Sequence, residues 1–200
     1  MFDAFARQRE ALKAHGFDQT ATFLAGWYNN EPHVKNLPAC HKIDAPDDAA
    51  CLLVANTRAL WPPFCGWVRR RLRENPDLLD NSPDILDVYT REIIEETMER
   101  VPSTTQFEVI YAYETLETHR RCISVATAAH VSGLAHHHAH LQRTLHPVYG
   151  PWLAFRAVIV FRHGSSGSPT LLPDPLAAHE LARVLKLQQN CFAKWDTSSE

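Results

Sequence analysis

An α+β fold is what this sequence predicts, on three observations. Helical periodicity appears in separate stretches near the start, the middle and the end of the chain. Between them lie short runs that are either uniformly apolar or alternating, as strands are. No internal repeat, low-complexity linker or break in composition divides the 200 residues, so a single domain over 1–200 is expected.

The elements follow in order. Phe2, Phe5, Ala6 and Leu12 fall at helical spacing, and Gly16 is a natural stop, which predicts a helix over 2–15. The stretch QTATFLAGWY, 19–28, is short, aromatic and strand-like, and a polar loop over 29–48 follows. AACLLVANT is a brief apolar run between turn residues, hence a buried strand. Pro62 and Pro63 suit the first turn of a helix that carries Trp67, Val68 and Leu72 inward.

SPDILDVYTREIIEETMERV is the plainest helix signal: Ser82 as N-cap, Pro83 at the first helical position, and Ile85, Val88, Ile93 and Ile94 as its apolar stripe. QFEVIYAYE alternates Phe107, Val109, Tyr111 and Tyr113 on one strand face. Residues from about Ala126 to 142 suggest a further helix. PWLAFRAVIVF reads as a central strand with one arginine in it, and a last helix is expected over 175–189.

Composition narrows the function. Hydrophobic residues make up 45% and charged residues 22%, a globular profile. A net charge of -3 gives no support for nucleic acid, whose phosphates call for clustered excess Lys and Arg. Arg69, Arg70, Arg71 and Arg73 fit a solvated helix face. The five scattered cysteines contain no CxxC and suit reduced thiols. Without a signal-like start or a membrane-length apolar window, a cytoplasmic protein with no membrane contact is expected.

TAAHVSGLAHHHAH, residues 127–140, holds five histidines in fourteen positions. On a helix His136 and His140 would share a face, a spacing that can hold a divalent metal when a third ligand joins. No Asp or Glu occurs between Glu117 and Asp174, however, so imidazoles lining a pocket wall are the simpler reading and no metal site is expected. Ser124, Ser132 and Cys122 lie near His130 in sequence, but adjacency is weak support for a nucleophile and base. Arg156 is the sharper clue. A guanidinium in an apolar strand is costly unless it is paired. Either it stands on the face away from the core, or it meets an anionic group such as a carboxylate or phosphate.

Five blocks in order carry a family resemblance: GWYNNEP; AACLLVANT running into a Trp/Pro/Phe helix; YAYE followed by RR; TAAHVSGLA; and HPVYGPWLAFRAVIV. The chain resembles the cobalamin-processing proteins of the methylmalonic aciduria and homocystinuria type C family (CblC), over roughly residues 20 to 160 and the final helix.

The resemblance implies a flavin-reductase/nitroreductase-like α+β domain, with a mixed, mainly antiparallel sheet flanked by helices. It implies cobalamin bound base-off, with removal of its upper axial group. Cyanide would leave by reduction with a reduced flavin, and alkyl groups by transfer to the thiolate of glutathione or another small thiol. His130 and Gly133 match the family's HxxG element at the corrin site, with His137, His138 and Trp152 expected beside it. Arg156 matches the arginine that holds the glutathione carboxylate and is the expected catalytic residue. A homodimer or a cobalamin-trafficking partner is compatible with this picture.

The departures are His136-His137-His138-Ala139 where the family has YYYQ, a shorter following loop, Gly150-Pro151 for Gly-Gly, and no clear counterpart for further glutathione arginines. They leave two rivals: a cobalamin carrier without thiol chemistry, or the same fold using flavin or a haem held through the histidines.

Overall fold

The computed structural model describes residues 5–77, 84–138, 141–164, 168 and 171–196. Its centre is a four-stranded sheet made of β1 (Gln19–Leu24), β2 (Ala49–Asn56), β3 (Phe107–Tyr111) and β6 (Ala154–Gly164), in the order β1-β2-β6-β3. All three pairings in it are antiparallel. A ribbon of β4 (His136–His138) and β5 (Arg143–Leu145) forms a second, smaller sheet.

The two apolar runs are central because both of their faces are covered. On β2, Cys51 and Leu53 enter one core while Leu52 and Val54 enter the other; on β6, Val158 and Val160 oppose Ala157, Ile159 and Phe161. The first core is roofed by α2 (Ala25–Asn29), α3 (Pro32–Lys35) and α7 (Val125–Val131), through Tyr28, Val34, Ala128, Ala129 and Val131. The second is roofed by α1 (Ala6–Ala14), α4 (Trp61–Glu74) and α5 (Ile85–Glu99), through Leu12, Phe64, Trp67, Tyr89, Ile93 and Ile94. Among the described residues the remaining α-helices are the short α6 (Leu116–His119) and the terminal α8 (Ala178–Asp196), which is longer than the 175–189 expected.

Several expectations shift. The strand predicted over 19–28 ends at Leu24, because Ala25–Asn29 turns into a helix that buries Ala25, Gly26 and Tyr28. The loop at 29–48 contains α3. On β3 both faces are used: Ile110 enters the first core, Val109 and Tyr111 lie against the second, and Phe107 is exposed. Ser82 and Pro83 lie outside the described residues. Among the described residues no helix is long and apolar enough to cross a membrane.

The largest correction concerns the helix expected to run to residue 142. It stops at Val131, and Gly133 adopts a φ of +68°. The Leu134 and Ala135 amides return to the Ala129 carbonyl at 3.1 and 3.2 Å. This is a left-handed C-terminal stop, where glycine is tolerated because it has no Cβ to clash. His136, His137 and His138 therefore lie on a strand, not on a helix face.

Candidate functional site

The family-like blocks near the site prove to be scaffolding for two regions. In GWYNN, the Tyr28 hydroxyl donates to the His41 carbonyl (3.1 Å) and accepts from the Ser124 amide (2.8 Å). Burial pushes its pKa up to about 12, so it stays a neutral donor. Ser124 in turn caps α7, its side chain accepting from the Thr127 amide. Asn29 clasps the Ile43 backbone in both directions, at 2.9 and 3.0 Å. In YAYE and RR, Arg121 pairs with Glu114 and Glu108. Burial pushes the Glu114 carboxyl up, but bonds from Arg121 and the Tyr111 amide bring it below its ordinary value. In HPVYG, His146 Nδ1 accepts from the Val148 and Tyr149 amides and shapes a turn closed by the 146–150 bridge.

The first region is built around Arg156. Along β6, Ala157 faces Val54 but Phe155 faces Ala55, so Arg156 is the extra residue of a β-bulge. Simple alternation would put Arg156 on the face of Val158 and Val160. The bulge gives that face to Phe155, which packs on the first core, and turns Arg156 to the opposite side. Bulges commonly re-aim a side chain in this way.

Arg156 then lines a cavity of about 370 Å³ with Asn56, Leu60, Trp61, Leu86 and Trp152. Its Nε donates to Asn56 Oδ1 at 2.7 Å, and no other side-chain bond of Arg156 is found among the described residues. Burial draws its pKa below the ordinary value and the charge of Asp87 on α5 opposes that; a guanidinium remains charged regardless. Trp152 and Trp61, at 83% and 58% exposure, stand open at this cavity.

The cavity floor is rigid. Asp18 accepts from the Thr57 amide and hydroxyl at 2.8 and 2.7 Å, and the Asn56 side chain bonds the Thr57 carbonyl. Gly16, at φ +88°, lies against Leu60, where a Cβ would come within 2.5 Å of the Leu60 Cα.

The second region is the imidazole cluster. His130, in the last turn of α7, meets His136 edge to face, with ring centroids 5.4 Å apart, and His136 meets His138 at 6.1 Å. His130 Nδ1 accepts from the His137 amide at 3.4 Å, which places its proton on Nε2. His136 Nδ1 donates to the Leu172 carbonyl at 3.1 Å. His137 Nδ1 lies 3.5 Å from Thr144 Oγ1 across the ribbon.

The buried His138 pairs through Nε2 with Asp174 at 3.2 Å. His33 joins from α3, its Nε2 donating to Thr127 Oγ1 at 2.8 Å while Thr127 donates to Ser124. Burial, first, and the neighbouring imidazoles hold the pKa values of His130 and His137 below their ordinary range, although Glu31 pulls His130 the other way. Among the described residues no three His, Cys, Asp or Glu side chains group so as to hold a metal ion. His140 lies outside the described residues.

The expected site residues therefore divide. His130, His136, His137 and His138 come together, with Gly133 beside them through its amide bond to the His130 carbonyl. Arg156 and Trp152 share the other cavity. α7 packs against both the β4–β5 ribbon and β6. Sequence reasoning missed Asn56, Asp174 and His33. Asn56 carried a signal, since it is the polar residue that ends an otherwise apolar strand; Asp174 and His33 are distant in sequence from what they touch.

Fold and site together define an α+β protein whose antiparallel sheet carries an arginine-bearing cavity and an imidazole cluster. The model of the methylmalonic aciduria and homocystinuria type C family matches residues 16–196, and the chain belongs to that family. It is 29% identical over 180 residues to the cyanocobalamin reductase / alkylcobalamin dealkylase of Danio rerio, covering 84% of this chain and 68% of that protein. The protein of the same name from Gallus gallus is 28% identical over 172 residues, covering 78% and 66%. The crystal structure of a C. elegans B12-trafficking protein CblC superposes with a TM-score of 0.78 over 92% of this chain and 79% of that one, at 21% identity, which shows the shared fold. The chain spans about two thirds of the length of the two curated relatives.

Proposed function

We propose that this protein binds cobalamin base-off and removes its upper axial ligand, by thiol-dependent dealkylation, reductive decyanation or both. The names of the two curated relatives supply the reaction class. The observation that carries the reading to particular residues is Arg156: a guanidinium turned by a β-bulge into a tryptophan-flanked cavity, fixed at Nε by Asn56 and with its outer nitrogens open to an anion.

In dealkylation a thiolate sulfur attacks the alkyl carbon. The S–C bond forms, the Co–C bond breaks, and its electron pair stays on cobalt, which passes from Co(III) to Co(I). Arg156 holds the thiol's carboxylate so that sulfur addresses that carbon, a contribution of orientation. In decyanation one electron from a reduced flavin co-substrate takes Co(III) to Co(II), and cyanide leaves. His130, Gly133 and His137 form the wall that meets the corrin amides, backed by the buried His138 on Asp174, with Trp152 at the mouth of the Arg156 cavity. Glutathione is the thiol that best fits an arginine fork, and the setting is the cytoplasm, where thiols are reduced. A homodimer or a trafficking partner accords with a protein that hands on its product.

Titrating methylcobalamin with the protein tests this. The spectrum should shift from red to the yellow of the base-off form, and added glutathione should then yield the S-methyl thioether, detected by mass spectrometry. An unchanged red spectrum with protein in excess overturns the reading. A shift without thiol turnover defines a cobalamin carrier instead.

A further inference from the structure

Arg156 is not the sole cation at its cavity. Arg58, on the 3-10 turn Arg58–Leu60, lines the same space, and no Asp or Glu is among the residues that do. Arg58 is exposed and, among the described residues, makes no ion pair or side-chain hydrogen bond. Its backbone is nevertheless fixed. Thr57 caps the turn by accepting from the Ala59 amide, Asp18 holds Thr57 by two bonds, and Leu60 is buried against Gly16. The cavity therefore has a deep guanidinium held by Asn56, a second at its mouth on a braced turn, two open tryptophan faces, and no carboxylate in its lining, although the charge of Asp87 outside the lining reaches Arg156.

Two cations around a recess without a lining acid leave an electrostatic need that a ligand with two anionic groups meets. We propose that Arg58 is a specificity-determining residue which takes the second carboxylate of a dicarboxylate thiol while Arg156 takes the first. This rests on reading the cavity as the thiol site. It also gives the site a second arginine drawn from the β2–α4 connection, not from the C-terminal part of the chain.

The test uses unreactive thioethers, so that it does not depend on turnover. S-methylglutathione, with two carboxylates, and 3-(methylthio)propionate, with one, are titrated against the full chain by quenching of the fluorescence of Trp61 and Trp152, with W61F and W152F variants identifying the signal. The wild type should prefer S-methylglutathione. Arg58→Gln should lower that preference about five- to tenfold, as expected for losing one charge-assisted contact at an exposed position. Arg58→Lys should keep most of it, and added salt should shrink the difference because the site faces solvent.

A wild type that binds both thioethers equally, or binds neither, overturns the proposal. So does an Arg58→Gln variant, with unchanged thermal stability, that keeps the full preference. The methylcobalamin titration reports separately on the parent reading: an absent base-off shift removes that reading while leaving the dicarboxylate preference measured on its own.

Discussion

The two regions are built on opposite principles. At Arg156 a charge stands within the apolar run of a strand, held by one side-chain bond and aimed by a bulge. In the imidazole cluster several rings are held by backbone amides and carbonyls, by Thr127 and Thr144, and by one carboxylate, Asp174. An isolated guanidinium seeks an external anion. A network of imidazoles largely satisfies itself and leaves only selected nitrogens to a ligand. The first arrangement should thus be sensitive to geometry and the second to protonation.

The floor of the Arg156 cavity offers the harshest test of that contrast. Gly16→Ala places a Cβ against the Leu60 backbone at a φ of +88°. The left-handed conformation alone costs about 1–2 kcal/mol for a residue with a Cβ, and the contact with backbone adds to it. A loss of about 2–4 kcal/mol is expected in urea unfolding. A near-neutral result would mean that the turn carrying Arg58 yields, and the cavity could not be called rigid.

Next comes Arg156→Lys, which keeps charge but loses the planar fork. Thiol-dependent dealkylation should fall about ten- to a hundredfold at low thiol concentration, the equivalent of about 1.5–3 kcal/mol. Spectral titration should find the base-off shift retained. If instead cobalamin binding disappears and thiol dependence is unchanged, the division between the two regions is wrong.

The same contrast explains what was legible in the sequence. The runs 49–55 of β2 and 157–161 of β6 are apolar because both sheet faces are covered there, and that pattern can be read from sequence alone. Arg156 stood out for the same reason, as a charge where none belonged. The bulge that aims it was invisible, since a one-residue register shift leaves no mark on composition. The histidines misled in the other direction. Residues from about Ala126 to 142 read as one helix, and only the left-handed turn at Gly133, joined to tertiary partners such as Asp174 and Leu172, makes 136–138 a strand. The helical spacing of His136 and His140 therefore carried no information about a shared face.

A smaller effect is expected from His130→Ala. Its ring contacts His136 and accepts one weak backbone bond, so the fold should survive its loss. Removing one hydrogen bond to the corrin corresponds to about 0.5–1.5 kcal/mol, hence about a three- to tenfold weaker cobalamin affinity by spectral titration. Equal affinity in the folded variant would make His130 a packing residue and move the ligand wall to His137 and its neighbours.

The mildest effect is the pH dependence of stability, and its sign follows from the imidazoles. Burial lowers the pKa values of His130 and His137 below the unfolded value near 6.5, and mutual repulsion with His33 and His136 acts in the same direction. Above that unfolded value both states hold neutral rings, so these groups contribute no pH dependence. As pH falls through it, the unfolded chain takes up protons that the folded chain still refuses, and unfolding becomes easier. Stability from this source is therefore lost on acidification until the lowered folded values are reached, where the slope flattens. Glu31 near His130 moderates the effect, so the loss should be gradual. Urea midpoints measured between pH 8 and pH 5 should decline below about pH 6.5. A combined His130→Ala, His137→Ala variant should decline less steeply over the same interval, while Arg156→Lys should follow the wild-type curve. A double variant as acid-sensitive as the wild type would place the responsible histidines elsewhere, with His146, whose pKa is also lowered by burial, the first to test.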